Sequence, residues 1–241
     1  MLDFYKAKPL KRLAAYIIDL ILLLIITASV AAGMFAAMDY QVYEEQFDQA
    51  CQVYGEQFGV DLTASRADQA ELSEEVQDKY LEAWEALNAD AQAMDSIKEM
   101  LRITLLSAVA GFFAGYLILE VMIPLIFKNG QTVGKKLLGL CVMHKYHVRV
   151  GTMQIIYRAI LGKYFLETLI PVVLLILSNY GVLGTTASLL LSVIAMTQGF
   201  IVMMSQANCG IHDKLFKTVV TDFKQQHIFD TLNERIDYEE A

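Results

Sequence analysis

The chain has 241 residues, of which 56% are apolar and 19% are charged, and its formal net charge is -8. A mean hydropathy of +0.42 is too apolar for an ordinary soluble domain, and the acidic total argues against nucleic acid as a partner. The acid is concentrated, because residues 39–99 hold 16 of the 27 acidic residues and only 3 of the 19 basic ones. The rest of the chain is therefore net basic, and the composition predicts a membrane protein with two oppositely charged parts.

Four apolar segments are long enough to cross a hydrocarbon core of about 30 Å, which needs roughly 20 helical residues. They predict an all-α membrane protein with transmembrane helices at residues 13–38, 103–127, 159–177 and 185–205. Residues 178–184 between the last two are uncharged and rich in turn formers, which indicates a short outer loop.

Basic residues determine the expected orientation, because positively charged flanks are retained in the cytoplasm. They lie in the N-terminal residues 1–12, in the loop 128–158 and at the start of the tail 206–241. The sequence therefore predicts a multi-pass protein whose two termini and basic loop are cytoplasmic.

The acidic segment 39–102 has helical periodicity in both halves, separated by Gly59 and the residues after it. We expect an extracytoplasmic antiparallel helical hairpin between the first two transmembrane helices. Its acidic surface is either a solvated spacer or a docking surface for a partner or for cations.

Four charged residues lie inside the predicted transmembrane helices, where each costs about 2.5–3.5 kcal/mol without a partner or a water path. Asp19 follows Arg12 by seven residues, which are two helical turns, so both lie on one helix face. A proline four residues after Glu120 frees the backbone carbonyl of Glu120. Lys163 and Glu167 are four residues apart, the spacing of an ion pair within one helix.

Two interpretations fit these intramembrane charges. In the first, Asp19, Glu120 and Glu167 bind protons or cations such as Na⁺, as in ion-coupled transporters. In the second, the charges are polar contacts that fix helix packing, and basic residues such as Arg12, Arg158 and Lys163 neutralise the acids.

Neither of two apparent catalytic patterns meets its chemical requirements. The loop 130–136 is similar to a phosphate-binding loop, but Asn129 stands where a glycine is needed and Lys136 where Ser or Thr is needed. Cys209 near His212 and Asp213 lacks the paired spacing of a metal site. The sequence therefore predicts no catalytic residue, no metal, no cofactor and no enzyme.

Three motifs in order resemble the RDD family of membrane proteins: KRLAAYIID at 11–19, QTVGKKLLGL at 131–140 and GIHDKL with TVV at 210–220. The arginine and two aspartates that name the family correspond to Arg12, Asp19 and Asp213. The long acidic insertion departs from compact members of the family.

The resemblance implies an integral membrane protein, with transport of unidentified ligands proposed for members and sodium/proton exchange for some. It predicts a bacterial plasma-membrane protein in which Arg12 or Arg158 pairs with Asp213, near His212, while Asp19 faces the helix bundle. Cation- or proton-linked transport through a homo-oligomer is one expected function. The alternative is a scaffold or regulator that binds a partner membrane protein through the hairpin or the basic loop.

Overall fold

The computed structural model describes residues 7–63, 73–127, 130–204 and 210–240, which are predominantly helical. The helices in chain order are α1 (Pro9–Ala37), α2 (Tyr40–Phe58), α3 (Glu74–Ala89), α4 (Ala91–Tyr116), α5 (Ile123–Phe127), α6 (Val133–Leu137), α7 (Thr152–Tyr157), α8 (Ile170–Asn179), α9 (Gly184–Met204), α10 (Ile211–Leu215) and α11 (Leu232–Glu240). Two π-helical stretches, π1 (Leu117–Met122) and π2 (Arg158–Leu169), join α4 to α5 and α7 to α8.

Three continuous helical segments in the described part of the chain are long and apolar enough to cross a membrane. They are Pro9–Ala37, Ala91–Phe127 and Thr152–Asn179. The first is α1, and the other two contain π1 and π2. The fourth predicted transmembrane helix corresponds to α9, in which the apolar stretch found is shorter, Ser188–Thr197.

Each π-helical stretch ends two residues before a proline. Met122 ends π1 before Pro124, and Leu169 ends π2 before Pro171. A proline inside a helix lacks an N–H group, and its ring clashes with the carbonyl four residues earlier, so the preceding turn opens. The widened turns therefore lie at Glu120 and Glu167, the residues four positions before the two prolines.

A small sheet departs from the all-α expectation. The antiparallel strands β1 (Leu140–His144) and β2 (Thr218–Asp222) pair Leu140 with Asp222 and His144 with Thr218. From the sequence alone, β1 is only a short apolar run. Pairing with β2, which is distant in sequence, satisfies the backbone groups of both buried strands.

The chain forms two compact units, one of residues 1–30 with 108–241 and the other of residues 31–107. In the second unit, α2 packs against α3, and Cys51, Leu62, Ala83, Leu87 and Ala93 form one buried apolar cluster. Burial, with a smaller contribution from Asp48, raises the pKa of the Cys51 thiol to about 11. This acidic unit thus has an apolar core of its own.

In the first unit, α1 buries one face at intervals of four residues: Ala15, Asp19, Leu23 and Thr27. Glycines allow neighbouring backbone to approach this face closely. A Cβ atom on Gly111 would lie 2.9 Å from the carbonyl oxygen of Thr27, and one on Gly115 would lie 2.5 Å from a methyl group of Leu23. This packing brings the chain around π1 against the middle of α1.

Candidate functional site

The first unit contains a cavity of about 770 Å³ between α1, π1, π2 and α10. The charged residues that line it are Arg12, Asp19, Glu120, Lys135, Arg158, Lys163, Glu167 and Asp213, with His212 beside them. All the site residues predicted from sequence therefore line one cavity. Its remaining walls are mostly apolar side chains of α1 and the second candidate span.

Asp213 is the most heavily paired carboxylate of the cavity. Its Oδ1 accepts hydrogen bonds from Nε of Arg158 at 3.1 Å, from Nη2 of Arg158 at 2.8 Å and from Thr218 Oγ1 at 2.9 Å. Arg12 approaches Oδ2 at 3.6 Å. Burial alone would raise the pKa of Asp213, but Arg158 and these hydrogen bonds hold it well below its usual value. Asp213 is therefore a carboxylate that is ionised at neutral pH and anchors two arginines.

Glu120 in π1 has two basic partners on π2. Lys163 donates a hydrogen bond to its Oε1, and Nη1 of Arg158 lies 3.9 Å from its Oε2. Because Arg158 also binds Asp213, this guanidinium links the second and third candidate spans to α10. The three side chains form a buried network that is stabilised by opposite charges.

Glu167 contacts His212 rather than a lysine. Both of its carboxylate oxygens lie 2.8 Å from Nδ1 of His212, and Oε1 accepts the backbone N–H of His212 at 3.1 Å. Burial lowers the pKa of His212, against an opposing effect of the Asp213 carboxylate. A neutral imidazole that donates its Nδ1 proton to Glu167 fits this geometry.

The predicted ion pair between Lys163 and Glu167 is therefore wrong. Lys163 reaches across to Glu120, and Glu167 turns to His212 on α10. Glu120 is the more deeply buried of the two carboxylates, so it has the greater need of a cation. The spacing within one helix could not reveal partners on other segments.

Asp19 is held by neutral donors. Thr132 Oγ1 donates to its Oδ2, and the backbone N–H of Gly134 donates to its Oδ1 at 2.8 Å. No basic side chain among the described residues forms an ion pair with Asp19. A Cβ atom on Gly134 would lie 2.2 Å from the carbonyl oxygen of Ala15 and 3.1 Å from the Asp19 carboxyl carbon. Only glycine permits this approach of the loop to α1.

The loop 130–136, which is similar to a phosphate-binding loop, therefore binds an anion that belongs to the same chain. Thr132 and Gly134, which lie in that similar segment, bind the carboxylate of Asp19 from α1. Thr132 also accepts the backbone N–H of Lys135 at 3.4 Å and thereby begins α6. The pattern that fails for nucleotide binding is explained by this contact within the chain.

Lys135 differs from the other charged residues of the cavity. Its side chain is buried, and its Nζ atom has no hydrogen-bond partner among the residues that the structure describes. Burial lowers the pKa of Lys135 to about 8, although the Glu120 carboxylate acts in the opposite direction. The ammonium group therefore remains mostly protonated at neutral pH although no described residue accepts a hydrogen bond from it.

Three further residues of the site, Thr132, Gly134 and Lys135, were not predicted from the sequence. A usable signal was present elsewhere, because LEVMIPLI at 119–126 and LETLIPVV at 166–173 share the same Glu and the same Ile-Pro pair. That duplicated pattern marks both π-helical stretches and both of their carboxylates. Nothing comparable marks the loop residues, whose roles depend on contact with a distant helix.

Within the described ranges, no group of three or more His, Cys, Asp or Glu residues is arranged to hold a metal ion. Cys209, considered with His212 and Asp213 as a ligand cluster, lies outside those ranges. The described lining of the cavity provides hydrogen-bonding groups, charged side chains and an apolar wall for a ligand.

The comparisons with known proteins agree with the motifs. The sequence profile of the RDD family matches residues 6–217, which include Arg12, Asp19 and Asp213. No curated protein and no solved structure shows significant similarity to the chain.

Proposed function

Because this chain belongs to the RDD family of membrane proteins, we propose that it is a four-span membrane protein that carries out proton- or sodium-linked transport through its charged cavity. The observation that carries the proposal is the environment of Asp19. Glu120 and Asp213 pair with Lys163 and Arg158, and both oxygens of Glu167 are held by His212, whereas Asp19 contacts a hydroxyl and a backbone amide. Asp19 is therefore the carboxylate best suited to exchange a proton or a cation.

The chemistry of its partner supports this role. A hydroxyl group both donates and accepts hydrogen bonds, whereas a guanidinium or an ammonium only donates. Thr132 donates to the ionised carboxylate of Asp19 and, after rotation of its hydroxyl, accepts from the protonated form. The Gly134 amide holds the other oxygen in both states. Asp213, bound by Arg158, has no such freedom and stays ionised.

The buried cluster at the sheet supports four membrane crossings. It contains Ala7 before α1, Val142 between the second and third candidate spans, and Val220 after α9. Lys11 also pairs with Asp222 at 3.1 Å. Residues in contact lie on one side of the membrane, so the chain crosses the membrane an even number of times between one of them and the next. Between Val142 and Val220 the third candidate span is one crossing, so α9 must be the second.

The orientation follows from charge. The basic N-terminal flank and the basic loop 128–158 are proposed to face the cytoplasm of a bacterial cell, together with the tail. The acidic unit of residues 31–107 is proposed to face outward as a helical hairpin. A bundle of four helices is narrow, so we expect a homo-oligomer to be the transporting form.

The experiment is reconstitution into liposomes that contain an internal pH dye, with a sodium gradient across the membrane. Wild type is expected to move protons, and Asp19→Asn, which cannot ionise, is expected to lose that movement. The control is Asp95→Asn, because Asp95 is an exposed carboxylate that pairs with Lys98 three residues away. Proton movement that is equal in wild type and Asp19→Asn contradicts the role of Asp19, and none in wild type contradicts ion-linked transport.

A second candidate function is a scaffold or regulator, and the separate apolar core of the acidic unit favours it. A segment that only spaces two spans does not require buried residues such as Leu87 and Ala93. The test is crosslinking in cells of wild type and of a chain that lacks residues 41–98. Loss of a crosslinked membrane protein, with membrane insertion retained, supports docking through this unit. An unchanged crosslinking pattern contradicts it.

A further inference from the structure

One buried cation in the cavity, Lys135, has no hydrogen-bond partner among the described residues. Lys135 is 8% exposed, its Nζ atom is inaccessible, and no described residue accepts a hydrogen bond from it. An ammonium group carries three N–H donors, and burying them without acceptors is costly. Glu120 and Asp19 stabilise its charge from a distance, but their hydrogen bonds go to Lys163 and to the loop.

The pairing of the other charges determines which ligand fits. Asp213 and Glu120 are occupied by Arg158 and Lys163, and Glu167 by His212. Asp19 is bound by Thr132 and Gly134, so the charged group left without a hydrogen bond among the described residues is the Lys135 ammonium. A phosphate or carboxylate oxygen would satisfy the Lys135 donors with charge-assisted hydrogen bonds, whereas a cationic head group could not accept a hydrogen bond from them.

The walls of the cavity add an apolar requirement. Leu20, Leu23 and Leu24 line it along α1, opposite Phe112 and Leu119 of the second candidate span. A volume of about 770 Å³ lies within the usual range of small-molecule sites, about 300–1,000 Å³. A small hydrated anion would leave most of this apolar surface uncovered.

The cavity opens on the side of α1. Leu13, Tyr16 and Leu24 line the cavity and are also 54%, 60% and 49% exposed. These exposed lining residues span 11 positions, about 16 Å along the helix axis. In a membrane-spanning helix such an opening faces the acyl chains, so a ligand can enter from the bilayer.

We propose that the cavity binds an anionic amphipath, a lipid-like molecule whose phosphate or carboxylate head group contacts Lys135 and whose chain lies along Leu20, Leu23 and Phe112. The proposal deepens the proposed function by naming the ligand class of the same cavity. It requires binding but not ion-linked movement.

The experiment uses the full chain in phosphatidylcholine nanodiscs and a dodecyl phosphate that carries a diazirine in its chain. After photolysis, labelled peptides are identified by mass spectrometry. Lys135→Met is compared with Lys136→Met, which removes the same charge from the exposed neighbouring residue that lies over Phe127. Lys135→Arg keeps the positive charge. Leu20→Trp fills space beside the apolar wall of the cavity and leaves Lys135 unchanged.

Labelling of α1 or of the second candidate span is expected in wild type, Lys136→Met and Lys135→Arg. It is expected to fall about 10-fold or more in Lys135→Met and also to fall in Leu20→Trp. Excess dodecyl phosphate displaces the probe, whereas inorganic phosphate and dodecyltrimethylammonium do not.

Three results would overturn the proposal. The first is equal labelling in Lys135→Met and Lys136→Met. The second is unchanged labelling in Leu20→Trp, a variant that still tests the proposal if Lys135→Met fails to fold. The third is displacement by inorganic phosphate, which indicates a free-anion site, or by the cationic amphipath, which indicates a site indifferent to charge. Labelling without sodium-driven proton movement contradicts only the transport function, and proton movement without labelling contradicts only the ligand class.

Discussion

The hydroxyl of Thr132 donates a hydrogen bond to the carboxylate of Asp19, although the two residues are 113 positions apart in the chain. This bond connects α1 to the loop that precedes α6. The backbone N–H of Gly134 donates a second hydrogen bond to the same carboxylate, with its nitrogen 2.8 Å from Asp19 Oδ1. Glu120 and Asp213 instead form ion pairs with Lys163 and Arg158, and Glu167 is bound by the His212 imidazole. Among the described residues, Asp19 is thus the carboxylate of the cavity that contacts neither a cation nor an imidazole.

Gly134→Ala is expected to separate the loop from α1. The added Cβ atom would lie 2.2 Å from the carbonyl oxygen of Ala15, so the backbone must shift and the hydrogen bond to Asp19 must lengthen. Overpacking of this kind costs about 1–3 kcal/mol. The apparent Tm in detergent should fall, whereas the control Gly151→Ala, whose Cβ atom meets nothing within 4 Å, should leave it almost unchanged. Equal Tm values for the two variants would contradict the close approach.

Arg158→Met is expected to be strongly destabilising, because it leaves both Asp213 and Glu120 with fewer cations in a buried site. Removal of one partner of a buried pair costs about 3–5 kcal/mol. Arg102→Met, which removes an exposed partner of Glu99, should cost no more than about 1 kcal/mol. The double variant Arg158→Met with Asp213→Asn should lose less stability than the sum of its single variants. Strict additivity in thermal unfolding would exclude direct coupling.

Stability is expected to decrease in acid, first through His212. Burial holds its pKa below the ordinary value of about 6.5, so the unfolded chain binds more protons than the folded protein below that pH. This contribution is complete above about pH 6.5 and is lost as the pH falls. The groups that face the imidazole are the Glu167 and Asp213 carboxylates and the Arg158 and Lys163 cations.

The measurement is the apparent Tm between pH 8 and pH 4 for wild type and His212→Asn. The variant should show a flatter dependence between pH 6.5 and pH 5. Asp213, whose pKa is depressed mainly by Arg158 against the effect of burial, adds a further loss only below about pH 4. Parallel curves for the two proteins would show that His212 does not contribute to the acid sensitivity.

Single cysteines test the number of crossings. In a chain whose native cysteines are replaced by serine, Val182→Cys and Glu82→Cys should react with a membrane-impermeant maleimide in intact cells. Lys145→Cys and Gln225→Cys should react only after permeabilisation, because β1 and β2 lie on one side. Identical accessibility of positions 182 and 225 would mean that α9 does not cross the membrane.

Much of the helical architecture could be predicted from the sequence, because long apolar segments have few alternatives in a bilayer. The charged residues within those segments could also be identified, since each is costly without a partner. Arg12 and Arg158 both contact Asp213, the pairing that the motifs implied. These features depend on residue type and local position, which a single sequence contains.

Features that depend on contacts between distant segments could not be predicted. The sheet requires β1 and β2 to meet, and residues 140–144 alone resemble any short apolar run. The partners of Lys163 and Glu167 lie on other segments, so the spacing of four residues gave the wrong pair. Lys135 counted only as a basic flanking residue, because its burial depends on how α6 packs beside α1.

The central claim is that the Thr132 hydroxyl allows Asp19 to hold or release a proton inside the cavity. It is tested most directly by sodium-driven proton movement in liposomes that contain wild type, Thr132→Ser or Thr132→Val, each checked for its apparent Tm. Thr132→Ser keeps a hydroxyl and should retain proton movement, whereas Thr132→Val keeps the shape, loses the hydroxyl and should lose most of it. Proton movement by a folded Thr132→Val protein at the wild-type rate would contradict the claim.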